Sequence, residues 1–190
     1  MTTLYFIRHA QPNFNNHDDR SRELTPKGLE DRKLVTDFLS GKNIDAVLSS
    51  PFQRAIETVR HFADKKGMTV TTIESFRERR IDSGWIDNFH EFSKKQWENF
   101  DYKLPGGESL RETQERNIAA LRQTLSDYEG KNVAIGSHGT ALSAIINYFD
   151  PSFGYEDFSR IKNLMPWVVE FIFEGQECIS IRPINLFENK

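Results

Sequence analysis

The apolar positions of this chain come in short blocks whose spacing changes from one block to the next. Leu4-Tyr5-Phe6-Ile7 is a continuous apolar run, the pattern of a strand buried on both faces, and predicts a first strand over Thr3 to Ile7. Asn13 to Arg22 is polar and reads as a loop. Leu29, Leu34, Val35, Phe38 and Leu39 then form the apolar face of a helix. Thr25 is its N-cap, Pro26 its first residue, and Gly41 its stop. Asp45 to Leu48 predicts a second strand, and Ile56, Val59, Phe62 and Ala63 a helix closing at Gly67. The β-branched alternation over Met68 to Ile73 predicts a third strand. Ser109 and Glu112 form a capping box for a long helix with Leu110, Ile118, Leu121 and Leu125 inward. The Val133 run predicts another strand, followed by helices over Thr140 to Tyr148 and Tyr155 to Ile161. Val168 to Phe173 and Cys178 to Ile181 close the chain as a strand pair around Glu174-Gly175.

Strands alternating with helices predict a largely parallel sheet covered on both faces, whose ligands bind beyond the carboxyl ends of the strands. No internal repeat or low-complexity tract divides the chain, so residues 1–190 read as one domain. Residues 76–107 stand out for their aromatics, hold a predicted helix near His90 to Phe100, and read as a lid over the strand ends. More often such aromatics pack the lid against the body, which is the expectation for Trp85 to Tyr102.

With 25 Lys and Arg against 28 Asp and Glu, the net charge of -3 creates no field favouring nucleic acid or anionic lipid. Phosphate recognition, if present, must be local. Cys178 is the sole cysteine, so no disulfide framework forms. No apolar run approaches a membrane span and Met1-Thr2-Thr3 enters a strand directly, so the expectation is a soluble cytoplasmic protein without membrane or nucleic-acid partners.

The chemistry concentrates where strands end. Arg8-His9 follows directly on the first apolar run, a poor choice for packing and a good one for holding a phosphoryl group. Imidazole is a nucleophile at neutral pH, and a guanidinium matches phosphate oxygens with two parallel hydrogen bonds. Val133 to Thr140 repeats the arrangement: apolar strand, then His138, then Gly139 opening a helix whose N-terminus favours an anion. Two strand-end histidines suggest one shared site. His9, Ser50 to Arg54 and His138 all sit at such ends.

Phe6-Ile7-Arg8-His9-Ala10-Gln11, Asn15, Leu24 to Gly28, Ser49 to Thr58, Phe76-Arg77-Glu78-Arg79 and Gly136-Ser137-His138-Gly139-Thr140 together resemble the histidine phosphatase superfamily, the phosphoglycerate mutase-like proteins. The motifs occur in that family's order and span most of the chain. The resemblance implies a three-layer α/β/α sandwich with a mostly parallel, mixed central sheet, acting without metal or cofactor on a small phosphomonoester. It implies His9 as nucleophile, His138 as donor to the phosphoryl oxygens, and Arg8 and Arg54 as the phosphate clamp. Gly139 and Asn15 fall at phosphate-binding positions, Asn15 being otherwise a plain Asx-turn residue. Ala10 stands where many relatives have glycine, and its small side chain should still let the backbone approach the phosphate. Glu78 falls where the general acid lies, with Asp82 and Glu108 as alternatives. Magnitudes explain why a clamp is needed. Phosphate-monoester hydrolysis can require up to ~10²¹-fold acceleration, equivalent to roughly 28 kcal/mol. Positioning supplies about 7–11 kcal/mol, leaving much of the rest to charge stabilisation.

The leading expectation is a metal-independent phosphatase working through a phosphohistidine on His9. The alternative is a phosphoglycerate mutase that returns the phosphoryl group to its substrate. The few residues after the last strand, Asn185 to Lys190, leave little to exclude water and favour hydrolysis over transfer. A catalytically inactive phospholigand-binding module comes next. A metallo-hydrolase comes last, because no clustered metal-ligand spacing appears. Substrate identity and oligomeric state stay open on the sequence.

Overall fold

Alternate residues of the first strand enter different cores. In the computed structural model, which describes residues 1–188, β1 (Thr2–Arg8) sends Leu4 and Phe6 to one face of the sheet and Tyr5 and Ile7 to the other. The chain continues as α1 (Pro26–Ser40), β2 (Ala46–Ser49), α2 (Gln53–Lys66) and β3 (Val70–Thr72). A short 3₁₀ turn (Glu74–Phe76) precedes α3 (Phe89–Glu98), α4 (Leu110–Asp127), β4 (Asn132–Ser137), α5 (Gly139–Phe149), α6 (Tyr155–Ile161), β5 (Trp167–Glu174) and β6 (Glu177–Ile184).

The six strands form one sheet in the order β3-β2-β4-β1-β5-β6. The first four run parallel; β5 lies antiparallel to β1, and β6 antiparallel to β5. The sheet is therefore mixed and mostly parallel. One core joins it to α4, α5 and α6 through Phe6, Leu48, Leu121, Ile135, Ile145 and Phe171. The other joins it to α1 and α2 through Tyr5, Ile7, Val35, Val59, Phe62 and Ala134. These make the three layers. Among the described residues, no helix is long and apolar enough to cross a membrane.

Local signals set most element boundaries. Thr25 accepts the Gly28 amide at the start of α1, and Ser109 and Glu112 exchange capping bonds at the start of α4. Gly67 ends α2 at φ 66°, a left-handed conformation that glycine adopts without a Cβ clash. Three expectations need correction. Leu29 is 38% exposed, because Gly28 and Val35, rather than Leu29, lie on the buried face of α1. The third strand spans only Val70–Thr72, since Met68 is still tied to Ala63 in the turn that closes α2. The last strand runs on to Ile184 through Pro183, which β6 tolerates because it is an edge strand with only β5 beside it. Asn189 and Lys190 of the terminal segment lie outside the described residues.

Candidate active site

Strand register brings the site together. Arg8 stands opposite Ser137, and Ser49 opposite Gly136, so three parallel strands end at one level. The next residues continue the ladder: His9 N–H donates to the Ser137 carbonyl at 3.1 Å and Ser50 N–H to that of Gly136 at 2.8 Å. Gly136 is needed there, since a Cβ would fall 2.6 Å from Ser49 Oγ and 2.9 Å from the Ala55 carbonyl. His9 and His138 consequently meet edge to face, with ring centroids 5.4 Å apart, and Phe52 packs against His138 at 5.2 Å.

Both rings are buried and neutral. His9 sits well below the ordinary histidine pKa, first through burial and then through Arg54 and Arg8. His138 is lowered in the same way by burial, Arg54 and His9. The His9 tautomer follows from its partner. Its Nδ1 lies 2.8 Å from the Ala10 carbonyl, which only accepts, so Nδ1 carries the proton and Nε2 keeps a free lone pair.

The two predicted clamp arginines flank these rings, each held from behind. Arg8 Nη1 donates to the Ile161 carbonyl at 2.6 Å and the Leu164 carbonyl at 3.3 Å, while its Nε is buried without a partner among the described residues. Burial lowers Arg8 to about 10, so it remains a cation at neutral pH. Arg54, 3% exposed, is gripped by Asp19 of the loop after β1. Its Nη1 donates to the Asp19 carbonyl at 2.5 Å and its Nη2 lies 2.9 Å from Asp19 Oδ1.

Gly139 opens α5 against Arg8, because a Cβ there would lie 3.0–3.2 Å from the guanidinium atoms. The expectation that the first turn of α5 offers free amides is corrected in part. Thr140 and Ala141 N–H groups donate to Glu78 at 3.0 Å each, and Arg79 N–H donates to the same carboxylate at 2.8 Å. The group that caps this helix N-terminus is the protein's own side chain.

The three carboxylates under consideration separate cleanly. Glu78 reaches the first turn of α5, directly after His138. Asp82 holds a loop, accepting the Ser83 and Gly106 amides at 2.8 and 3.0 Å. Glu108 is the centre of an ion-pair hub, taking Arg77 at 2.5 and 2.7 Å, Arg116 at 3.1 and 3.2 Å, and the Arg80 amide at 2.9 Å. Burial pushes Glu108 up, but the Arg77 guanidinium, the Arg80 amide and Arg116 outweigh it and hold the carboxyl at about 2.

Other predicted residues fall elsewhere. Asn15 is exposed, its amide donating to Asn13 Oδ1 in an Asx turn, so it shapes the loop that carries Asp19. The Ala10 amide does not face a ligand: it donates to Thr58 Oγ1 at 3.0 Å, and the residue is fully buried. Lys94, Lys95 and Lys103 pair with Glu98, Glu91 and Glu112 on exposed faces. The aromatic segment divides. Phe92 and Trp97 are buried, whereas Trp85 is exposed, stacks on His17 at 4.2 Å and lies under Arg22. Sequence reasoning gave no role to Asp19, nor to Thr58 and Arg79, which lie inside the quoted motifs. Arg79 is a fully buried guanidinium held by Gln96 Oε1 and the rings of Phe89 and Phe92. Only its place beside Glu78 could have flagged it. Among the described residues, no three His, Cys, Asp or Glu side chains gather into a metal-binding group.

The model of the histidine phosphatase superfamily (branch 1) matches residues 4–181. The chain is 29% identical over 196 residues to "Putative phosphoserine phosphatase 2" of Hydrogenobacter thermophilus, covering 95% of this chain and 94% of that protein. It is 28% identical over 162 residues to "Probable phosphoglycerate mutase GpmB" of Salmonella typhi, covering 77% and 74%. Among solved structures, its fold is similar to phosphoserine phosphatase from Entamoeba histolytica in complex with phosphoserine, with a TM-score of 0.77 at 22% identity over 95% and 96% of the two chains. It is also similar to mycobacterial glucosyl-3-phosphoglycerate phosphatase, with a TM-score of 0.76 at 15% identity over 95% and 96%.

Proposed function

Because the chain belongs to the histidine phosphatase superfamily, we propose that it hydrolyses a small phosphomonoester through a phosphohistidine formed on Nε2 of His9. One observation carries this reading: the Nδ1–H bond to the Ala10 carbonyl leaves His9 Nε2 with an uncharged lone pair, within the field of the Arg54 and Arg8 guanidinium groups. In the first step Nε2 attacks phosphorus in line, and the ester P–O bond breaks as Glu78 delivers a proton to the leaving oxygen. In the second step water attacks phosphorus, Glu78 takes its proton, and the P–N bond breaks to restore His9. Arg8, Arg54 and His138 hold the charge that builds on the transferring oxygens. Phosphate reaching Arg54 displaces the Asp19 carboxylate from that fork. Residues 76–107 act as the lid, latched to the Asp19 loop by the Trp85–His17 stack. The lone cysteine accords with a cytoplasmic setting.

Relatives that carry phosphoglycerate mutase names favour a second reading, phosphotransfer back to the substrate. A phosphomonoester panel, including phosphoserine and 3-phosphoglycerate and run in EDTA, separates the possibilities. The expected result is phosphate release, an acid-labile phosphohistidine on the wild type, and loss of both in His9→Ala. Bisphosphoglycerate-dependent isomerisation with negligible hydrolysis would establish the mutase. Phosphate binding without any trapped phosphohistidine would establish a binding module.

A further inference from the structure

Ser50 has no part in the chemistry of phosphoryl transfer, yet among the described residues its hydroxyl is the only group that hydrogen-bonds the His138 ring. Ser50 is fully buried at the end of β2, and its Oγ lies 2.7 Å from His138 Nε2. The same oxygen accepts the Phe52 amide at 3.2 Å. The other ring nitrogen, His138 Nδ1, is buried with no hydrogen-bond partner among the described residues.

Counting protons decides between the two neutral tautomers. A serine hydroxyl has one proton to give and two lone pairs to offer. If Nε2 carried the ring proton, Ser50 Oγ would accept twice, from Phe52 and from His138. Its own proton would then have no acceptor, and the Nδ1 lone pair would be stranded as well. If Nδ1 carries the proton, Phe52 N–H donates to Ser50 Oγ and Ser50 O–H donates to Nε2. A single orphan remains, the Nδ1–H. Buried polar groups are normally paired, so the arrangement with one orphan is favoured over that with two. Burial beside Arg54, His9 and Arg8 excludes the doubly protonated ring at neutral pH.

We propose that Ser50 is a positioning residue: it fixes His138 as the Nδ1–H tautomer and so presents one unpaired donor to a phosphoryl oxygen. The two histidines are then set in complementary states by their partners. A backbone carbonyl leaves His9 with a bare Nε2, and a hydroxyl leaves His138 with a bare N–H. The proposal rests on the reading of His138 as a phosphoryl-oxygen donor, but its first test does not depend on turnover.

That test is the ¹⁵N spectrum of histidine-labelled protein at neutral pH, with His138 assigned by comparison with His138→Ala. Long-range ¹H–¹⁵N correlations distinguish protonated from bare ring nitrogens. The wild type should show Nδ1 protonated and Nε2 bare. Ser50→Ala should shift His138 toward the Nε2–H tautomer and lower kcat about 10- to 100-fold, short of the ~10²–10³-fold expected for removing one transition-state donor outright. A serine that merely packs would change thermal stability and leave the tautomer alone. A wild-type ring protonated on Nε2, or a Ser50→Ala tautomer identical to wild type, overturns the proposal. Should Ser50→Ala not fold, the wild-type spectrum alone still decides. If the spectra come out as expected while no substrate turns over, the tautomer assignment stands and the phosphatase reading falls.

Discussion

Arg77 and Glu78 are neighbours in sequence but belong to two differently balanced regions. Arg77 joins the Glu108 hub, where two guanidinium groups and a backbone amide occupy a single carboxylate. Glu78 turns toward the histidine site, where Arg8 donates to backbone carbonyls and leaves Nε without a partner among the described residues. Both regions take arginine out of water, Arg54 almost fully and Arg77 and Arg116 in part. In the hub the protein supplies the counter-charge, so loss of the carboxylate would strand two guanidinium groups. At the site the counter-charge is incomplete, and Asp19, itself on a partly exposed loop, is the carboxylate that bridges to Arg54. A phosphoryl group completes what the fold leaves open. Burial alone therefore does not distinguish a structural arginine from a functional one, whereas the identity of its partner does.

The contrast can be broken at either end. Glu108→Gln should carry the largest effect on stability, about 3–5 kcal/mol, by leaving Arg77 and Arg116 without their shared anion. A urea titration reads it. Turnover by the folded fraction should stay near wild type, and a collapse of kcat at unchanged stability would move the general-acid role to Glu108. Arg54→Ala should behave oppositely, lowering kcat/KM about 10²–10³-fold with little stability loss. Equal destabilisation by the two substitutions would erase the distinction between the regions.

The electrostatic field of the site has its own signature in pH. His9 and His138 have folded-state pKa values well below the ordinary 6.5, so below that pH the unfolded chain binds protons that the native one refuses. Stability should be full above about pH 6.5 and fall on acidification, by up to about 1.4 kcal/mol per pH unit for each ring. His61 acts in the same direction. Urea midpoints at pH 8, 7, 6 and 5.5 test this before the carboxylates titrate, and a flat profile would mean that the native rings take up protons freely. Asp19→Asn should give the smallest change. Removing the internal competitor for Arg54 should lower KM about 2- to 5-fold, the equivalent of an exposed-edge ion pair worth at most ~1 kcal/mol. A raised KM would show instead that Asp19 helps to hold the clamp in place.

Much of this was legible in one dimension. Burial on both faces of β1, the Thr25 and Ser109 caps and the Gly67 stop depend on residues a few positions apart, so spacing reveals them. The strand-end positions of Arg8, His9 and His138 follow from the same local patterns. Arg54 at the start of α2 was readable through its motif. What spacing does not encode is which hydrogen bond each group makes. Glu78, Asp82 and Glu108 carry the same functional group, and only the packing of α4 and α5 sends one to a helix N-terminus, one to a loop and one to an arginine hub. The Ala10 amide turned to Thr58, the Asp19 grip on Arg54 and the two ring tautomers are decisions of the same kind. Secondary structure and burial are set by side-chain periodicity along the chain. Hydrogen-bond partnership requires two groups from distant segments to meet within about 3 Å at the right angle, and only the assembled tertiary structure provides that.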